Sequence, residues 1–189
     1  GLDDNDNSNY DGYANLRYTI AVTAVDHKGR QSYYAEPGAN ILVASPSNGD
    51  GESITTTDIE GSGGYSNSDY TSTFGGTSSA TPLVSGIIAL MFEANANLTW
   101  RDVQHILVET SRKNNASDDS WAVNGAGHLV SHKYGYGVID AGAAVTAAID
   151  WTPSEVEVST TSGTIETNLA IPDNTGEVVY SNTTVSDAI

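Results

Sequence analysis

Residues 75–94 of this 189-residue chain, GGTSSATPLVSGIIALMFEA, restrict its folding more than any other stretch. The Gly75-Gly76 pair marks a turn. From Thr77 onward the residues are apolar almost all round, which predicts a helix buried in a core. Pro82 lacks an amide hydrogen and is tolerated only near a helix start, so the helix is expected to begin close to Ser78. Ser78 is then held where unpaired backbone amides and the positive end of the helix dipole favour developing negative charge. A tetrahedral acyl-transfer intermediate presents such a charge, and the preceding glycines let a substrate backbone come near. The longest apolar run, Leu83 to Phe92, is about half of what spans a bilayer and contains Ser85 and Gly86, so no membrane span is expected.

The flanking patterns set the fold class. Tyr18 to Val25, YTIAVTAV, is β-branched or apolar at nearly every position, the mark of a strand buried on both faces. Asn40 to Ala44, NILVA, is a shorter candidate of the same kind. ESITTT and DYTST, within a Gly-, Ser- and Thr-rich stretch, are candidate hairpin strands. TWRD at Thr99 is a capping-box variant, and Trp100, Val103 and Leu107 follow at helical spacing. Asp140 can cap an alanine-rich helix that ends near Ile149. The expected architecture is α/β, a parallel sheet flanked by helices, over residues 1–151. From residue 152 the composition shifts to short alternating runs such as EVEVST, which predicts the beginning of a separate β module over 152–189.

Seven basic residues against 24 acidic ones leave a net charge of -17, which argues against nucleic acid or an anionic membrane as partner. Such acidity suits a well-solvated protein, a calcium binder, or one that attracts basic peptides. The chain has no cysteine, so packing or metal ions must supply any extracellular stability. No leader is visible, since Gly1 opens an acidic polar run, and further chain is expected upstream.

GTSSATP, Gly76 to Pro82, resembles the GTSxAxP nucleophile motif of subtilisin-like serine proteases. A serine that merely caps a core helix would explain the glycines and the proline, but not the whole string. EANANLTWRDVQHILVETS (93–111), VSHKYGYGVIDAGAAV (130–145) and DNSNYDGY (6–13) resemble the kexin/furin branch of that family. The resemblance covers residues 1 to about 150 and implies a serine endopeptidase that acts through an acyl-enzyme, with Ser78 as nucleophile. It also implies an extracellular or cell-surface setting, and a β-sandwich or jelly-roll P domain beginning in 152–189.

The family's catalytic histidine, its orienting aspartate and its oxyanion asparagine are expected in an upstream half of the catalytic domain. Residues 1–189 alone are therefore expected to be inactive, and poorly folded because a cut through a parallel sheet removes non-local partners. His27, His105, His128 and His132 lack the family's HGT context and are read as structural. The resemblance makes Asp11, in DGY, the carboxylate that binds a basic P1 side chain of a peptide or protein substrate. From the residues alone it is an Asx-turn aspartate before glycine.

Asp6 and Glu36, with Asp11 beside them, match carboxylates that hold a structural calcium ion beneath that pocket in the branch, a third carboxylate again lying upstream. Asp3 and Asp4 are read as surface. The family often has a cysteine pair at the positions of Ser8 and Gly38, and both are replaced here. The competing function is a non-catalytic, calcium-stabilised binding module on the same fold.

Overall fold

The computed structural model describes residues 6–155. Asp3, Asp4 and nearly all of the expected second β module lie outside the described residues. The compact unit that holds every element below runs through Ser154.

Two strands, β1 (Ala21–Val25) and β2 (Ile41–Pro46), pair in parallel, with Ala24 opposite Ser45 and Val25 opposite Pro46. Residues 136–139 extend this sheet on the free side of β2. Tyr136 N–H donates to the Leu42 carbonyl at 2.8 Å, Ala44 N–H to Gly137 at 2.8 Å, and Ile139 N–H to Ala44 at 3.0 Å. Arg112 then pairs with Val138 in the opposite sense, through bonds of 2.8 and 2.9 Å. A strand with hydrogen-bonding partners on both edges leaves few backbone groups unpaired, which is why β2 tolerates the burial of Ile41, Val43, Ala44 and Ser45.

Three helices cover the sheet: α1 (Thr77–Ala94), α2 (Trp100–Thr110) and α3 (Ala141–Ile149). α1 packs on β1, β2 and α3, and α2 packs on β2 and α3. Their shared core holds Val43, Val84, Met91, Ile106, Leu107 and Ile139. Each large apolar side chain fully buried there stabilises the fold by about 1.5–3 kcal/mol. The predicted caps are present: Thr99 accepts from Asp102 N–H while Asp102 accepts from Thr99 N–H, and Asp140 accepts from Ala143 N–H. The predicted hairpin is also present, as β3 (Ile54–Thr57) antiparallel to β4 (Tyr70–Phe74). A short hairpin of β5 (Ala122–Val123) and β6 (Leu129–Val130), not read from the sequence, completes the element order.

One expectation is corrected. α1 was expected to be buried all round, but its buried residues are Ser79, Ala80, Val84 and Met91, while Leu83 is 44 % and Leu90 49 % exposed. The strands β1 and β2 and helix α3 occupy only one side of the helix, and within the described residues its other side has no covering layer. By length and composition alone α1 is apolar enough to cross a membrane. Its packed face and its seating on a sheet are those of a core helix.

Gly137 sits at φ 125, and an added Cβ would fall on the Arg112 carbonyl. Gly137→Ala is expected to destabilise the unit by about 2 kcal/mol or more, because strain and a backbone collision coincide where 136–139 joins the sheet. A lowered urea midpoint at unchanged slope checks this.

Candidate active site

Ser78 is the second residue of α1 and is exposed to solvent. Gly76 caps the helix at φ 77 and ψ 176, a conformation that L side chains avoid, so the turn into the helix depends on glycine. Ser78 N–H belongs to the first turn and has no backbone acceptor among the described residues, whereas Ser79 N–H donates to the Gly76 carbonyl at 3.1 Å. Pro82 cannot donate to the Ser78 carbonyl four residues before it. Ser78 is thus an exposed residue at the positive end of an 18-residue helix.

The turn is anchored to the residues that follow β2. Gly76 N–H donates to Asn48 Oδ1 at 2.6 Å, and the Gly76 carbonyl accepts from Ser47 Oγ at 2.7 Å. Ser47 Oγ lies 2.6 Å from Ser79 Oγ and 2.9 Å from the Tyr34 hydroxyl. Ser47 and Ser79 are 5 % and 3 % exposed, so this network is shielded from water. Tyr34 and Ser32 also fix the Asn48 carbonyl, at 3.0 and 2.9 Å. The sequence did not single out Tyr34, Ser47, Asn48 or Ser79. The one available signal was position, since Ser47-Asn48-Gly49 follows the carboxyl end of a parallel strand, where α/β folds place their ligand sites.

Beside the turn lies a cleft lined by Thr77 and Thr81 of α1, Ala21 to Thr23 of β1, Ser8, Ala14, Tyr34, Glu36 and Ile41. Its outer wall is two loops tied together. Ser8 N–H donates to the Pro37 carbonyl at 3.0 Å, Ser8 Oγ to Asn40 Oδ1 at 2.6 Å, and Asn40 Nδ2 to the carbonyls of Ser8 and Ala14 at 3.2 and 3.1 Å. Ser8 and Gly38 are in contact, since a Cβ added to Gly38 would meet Ser8 Oγ.

Asp11 is exposed and caps its own turn, with Oδ1 accepting from Tyr13 N–H and Ala14 N–H at 2.8 Å each. Asp6 is exposed, and its Oδ1 accepts from Asn7 N–H at 2.8 Å. Glu36 lines the cleft, as does Thr23, whose buried Oγ1 has no hydrogen-bond partner among the described residues. These oxygens have the hardness that calcium requires, but a shell takes about six to eight of them. Among the described residues no three acidic or imidazole side chains converge. The donors present fit the ion in kind and fall short in number.

No described histidine is hydrogen-bonded to Ser78. His128 pairs with Glu109 at 3.5 Å and stacks edge-on with Tyr136, His132 lends its carbonyl to Gly38 N–H, and His27 and His105 are exposed.

The Subtilase family of S8 peptidases matches residues 2–137. The chain belongs to the subtilase family. Among curated subtilases it is 42 % identical to furin of Homo sapiens over 151 residues, which are 79 % of this chain and 18 % of furin. It is 43 % identical to proprotein convertase subtilisin/kexin type 7 of Homo sapiens over 172 residues, 90 % of this chain and 22 % of the relative. The type 6 convertase of Rattus norvegicus is 45 % identical over 78 % of this chain and 15 % of its own length. The chain thus spans about a fifth of the length of these relatives. Among solved structures, the serine protease of Aeromonas sobria superposes with a TM-score of 0.72 at 26 % identity, covering 80 % of this chain and 32 % of that one. The fold is therefore the subtilisin-like α/β fold, and the similarity in sequence is to the kexin/furin-like branch.

Proposed function

We propose that the gene product containing this chain is a serine endopeptidase that cleaves peptide bonds after basic residues, with Ser78 as nucleophile. One observation supports the reading most: an exposed serine in the first turn of α1, beside a cleft, inside a subtilase segment. Ser78 Oγ attacks the scissile carbonyl carbon, and its proton passes to a histidine of the upstream half of the domain. The resulting oxyanion accepts a hydrogen bond from Ser78 N–H. The C–N bond then breaks, the proton goes to the leaving amine, and water hydrolyses the acyl-enzyme. The exposed side of α1 that carries Leu83 and Leu90 is where that upstream half would pack.

Asp11 is assigned to the P1 guanidinium or ammonium. Its Oδ1 is held by two backbone amides, which fixes the carboxylate and leaves Oδ2 to accept from the substrate. Calcium is assigned a structural part only. Asp6, Glu36 and Asp11 do not converge on one point, so Asp6 or Glu36 would each supply only part of a shell completed upstream, and Asp11, whose free oxygen is given to the substrate, is not counted among the ligands. The ion would stiffen the cleft wall and take no part in a bond change.

The test is cleavage of peptides with Arg or Ala at P1 by the complete gene product, in calcium and in chelator. Arg-selective cleavage is expected, with loss of activity and a lower unfolding temperature on chelation, both restored by calcium. Asp11→Asn is expected to cut the preference for Arg about a hundredfold. Equal cleavage of both peptides would remove the Asp11 assignment. No cleavage of any peptide would favour a calcium-stabilised binding module.

A further inference from the structure

We propose that Asn48 is a positioning residue for Ser78, acting by holding the Gly76 peptide on its N–H side while Ser47 holds it on the carbonyl side. The proposal rests on the reading of Ser78 as nucleophile. Gly76 is the pivot of the turn: at φ 77 it is a residue with no side chain to restrict it, immediately before the helix that carries the serine. A pivot with such freedom would let the Ser78 hydroxyl wander unless its peptide groups were tied down. They are tied at both ends, by Asn48 Oδ1 at 2.6 Å from Gly76 N and by Ser47 Oγ at 2.7 Å from Gly76 O.

The tie is rigid because each anchor is itself held. Ser47 N–H donates to the Val25 carbonyl at 2.8 Å, which continues the β1–β2 ladder. Ser47 Oγ has one proton and two lone pairs. Donating to Gly76 and accepting from Tyr34 and Ser79 satisfies all three. The Asn48 backbone is fixed by Tyr34 and Ser32. The Asn48 side chain also abuts Gly75, where an added Cβ would collide with its amide, so residues 48 and 75 are matched in size. The Asn48 side-chain amide makes no hydrogen bond to Ser78, and what its Oδ1 fixes is the Gly76 N–H, so the effect of that acceptor on chemistry passes through Gly76. A displacement of about 1 Å of a reacting group costs on the order of a hundredfold in rate.

The experiment compares the complete gene product with Asn48→Leu, which keeps the size but has no acceptor, and Asn48→Asp, which keeps the acceptor. Readouts are kcat and KM on an arginyl peptide, unfolding temperature, and hydrogen exchange at Gly76. Asn48→Leu is expected to lose about 10- to 100-fold in kcat at near-constant KM, with faster exchange at Gly76. Asn48→Asp is expected to stay within about threefold of the parent. A kcat for Asn48→Leu equal to the parent's would overturn the proposal, and so would equal losses in both variants alongside equal falls in unfolding temperature. A parent protein whose activity does not depend on Ser78 would instead overturn the nucleophile assignment, and the positioning role with it.

Discussion

Replacing Ser78 by alanine in the complete gene product is expected to lower kcat on an arginyl peptide about a million-fold, a loss of the size seen in another subtilase. KM and unfolding temperature are expected to stay near those of the parent. The reason is local. Ser78 is exposed, and its hydroxyl makes no hydrogen bond to a described residue, so removing it breaks no packing and orphans no buried group. Its neighbour behaves differently. Ser79 is buried and bonded to Ser47, so Ser79→Ala would act on the shape of the turn instead of removing the nucleophile. A Ser78→Ala protein that retained more than about one part in a thousand of the parent activity would place the nucleophile elsewhere.

The largest loss of stability is expected at Asp102, which is wholly buried. Its Oδ2 accepts from Thr99 N–H and Thr99 Oγ1 at 2.7 Å each. Its Oδ1 accepts from Trp151 Nε1 at 3.2 Å and from Ser154 N–H and Ser154 Oγ at 2.7 Å each. One carboxylate therefore caps α2 and pins the strand of chain that leaves α3. Asp102→Ala would leave those donors without their acceptor and is expected to cost about 3–5 kcal/mol. In the complete gene product this is read as a lower urea midpoint at unchanged slope. Asp102→Asn keeps the shape but turns one acceptor into a donor, and should fall between the two.

The same site gives a pH dependence with a definite sign. Burial pushes the Asp102 carboxyl up, but the hydrogen bonds from Thr99 and Ser154 outweigh it and hold the group well below the usual carboxylate range. Asp118 is held down in the same way, against burial, by Ser120, Lys133 and Tyr134. Both folded values lie below the unfolded value near 3.9, so the unfolded chain binds these protons first. Their contribution is complete above about pH 5 and is lost as pH falls through the acid range. The urea midpoint should therefore drop on acidification, and less steeply in Asp102→Ala.

What the sequence made legible was whatever is local. The Thr99–Asp102 box, the Asp140 cap and the start of α1 at Gly76 are set by residues three or four apart, and each was readable. The second half of Asp102's role was not, because Ser154 is 52 residues away and a short polar segment gives no sign of its destination. Residues 136–139 show no strand pattern of their own, yet they extend the sheet, since their bonding partners are in β2 and at Arg112. The same distance hid Asn48 from Gly76, 28 residues on. The nucleophile was legible as a string of residues, while the clamp around it exists only in three dimensions. The exposure of Leu83 and Leu90 has another cause: the apolar pattern of α1 specifies two packed sides, and the described residues supply one.

The claim on which the account turns is that Ser78 is the reacting group. The direct measurement is to treat the complete gene product with a fluorophosphonate and map the adduct by mass spectrometry of its peptides. The account predicts one stoichiometric adduct on Ser78, formed in the native protein and abolished by denaturation. An adduct on another serine, or none in a protein that still cleaves peptides, would contradict it.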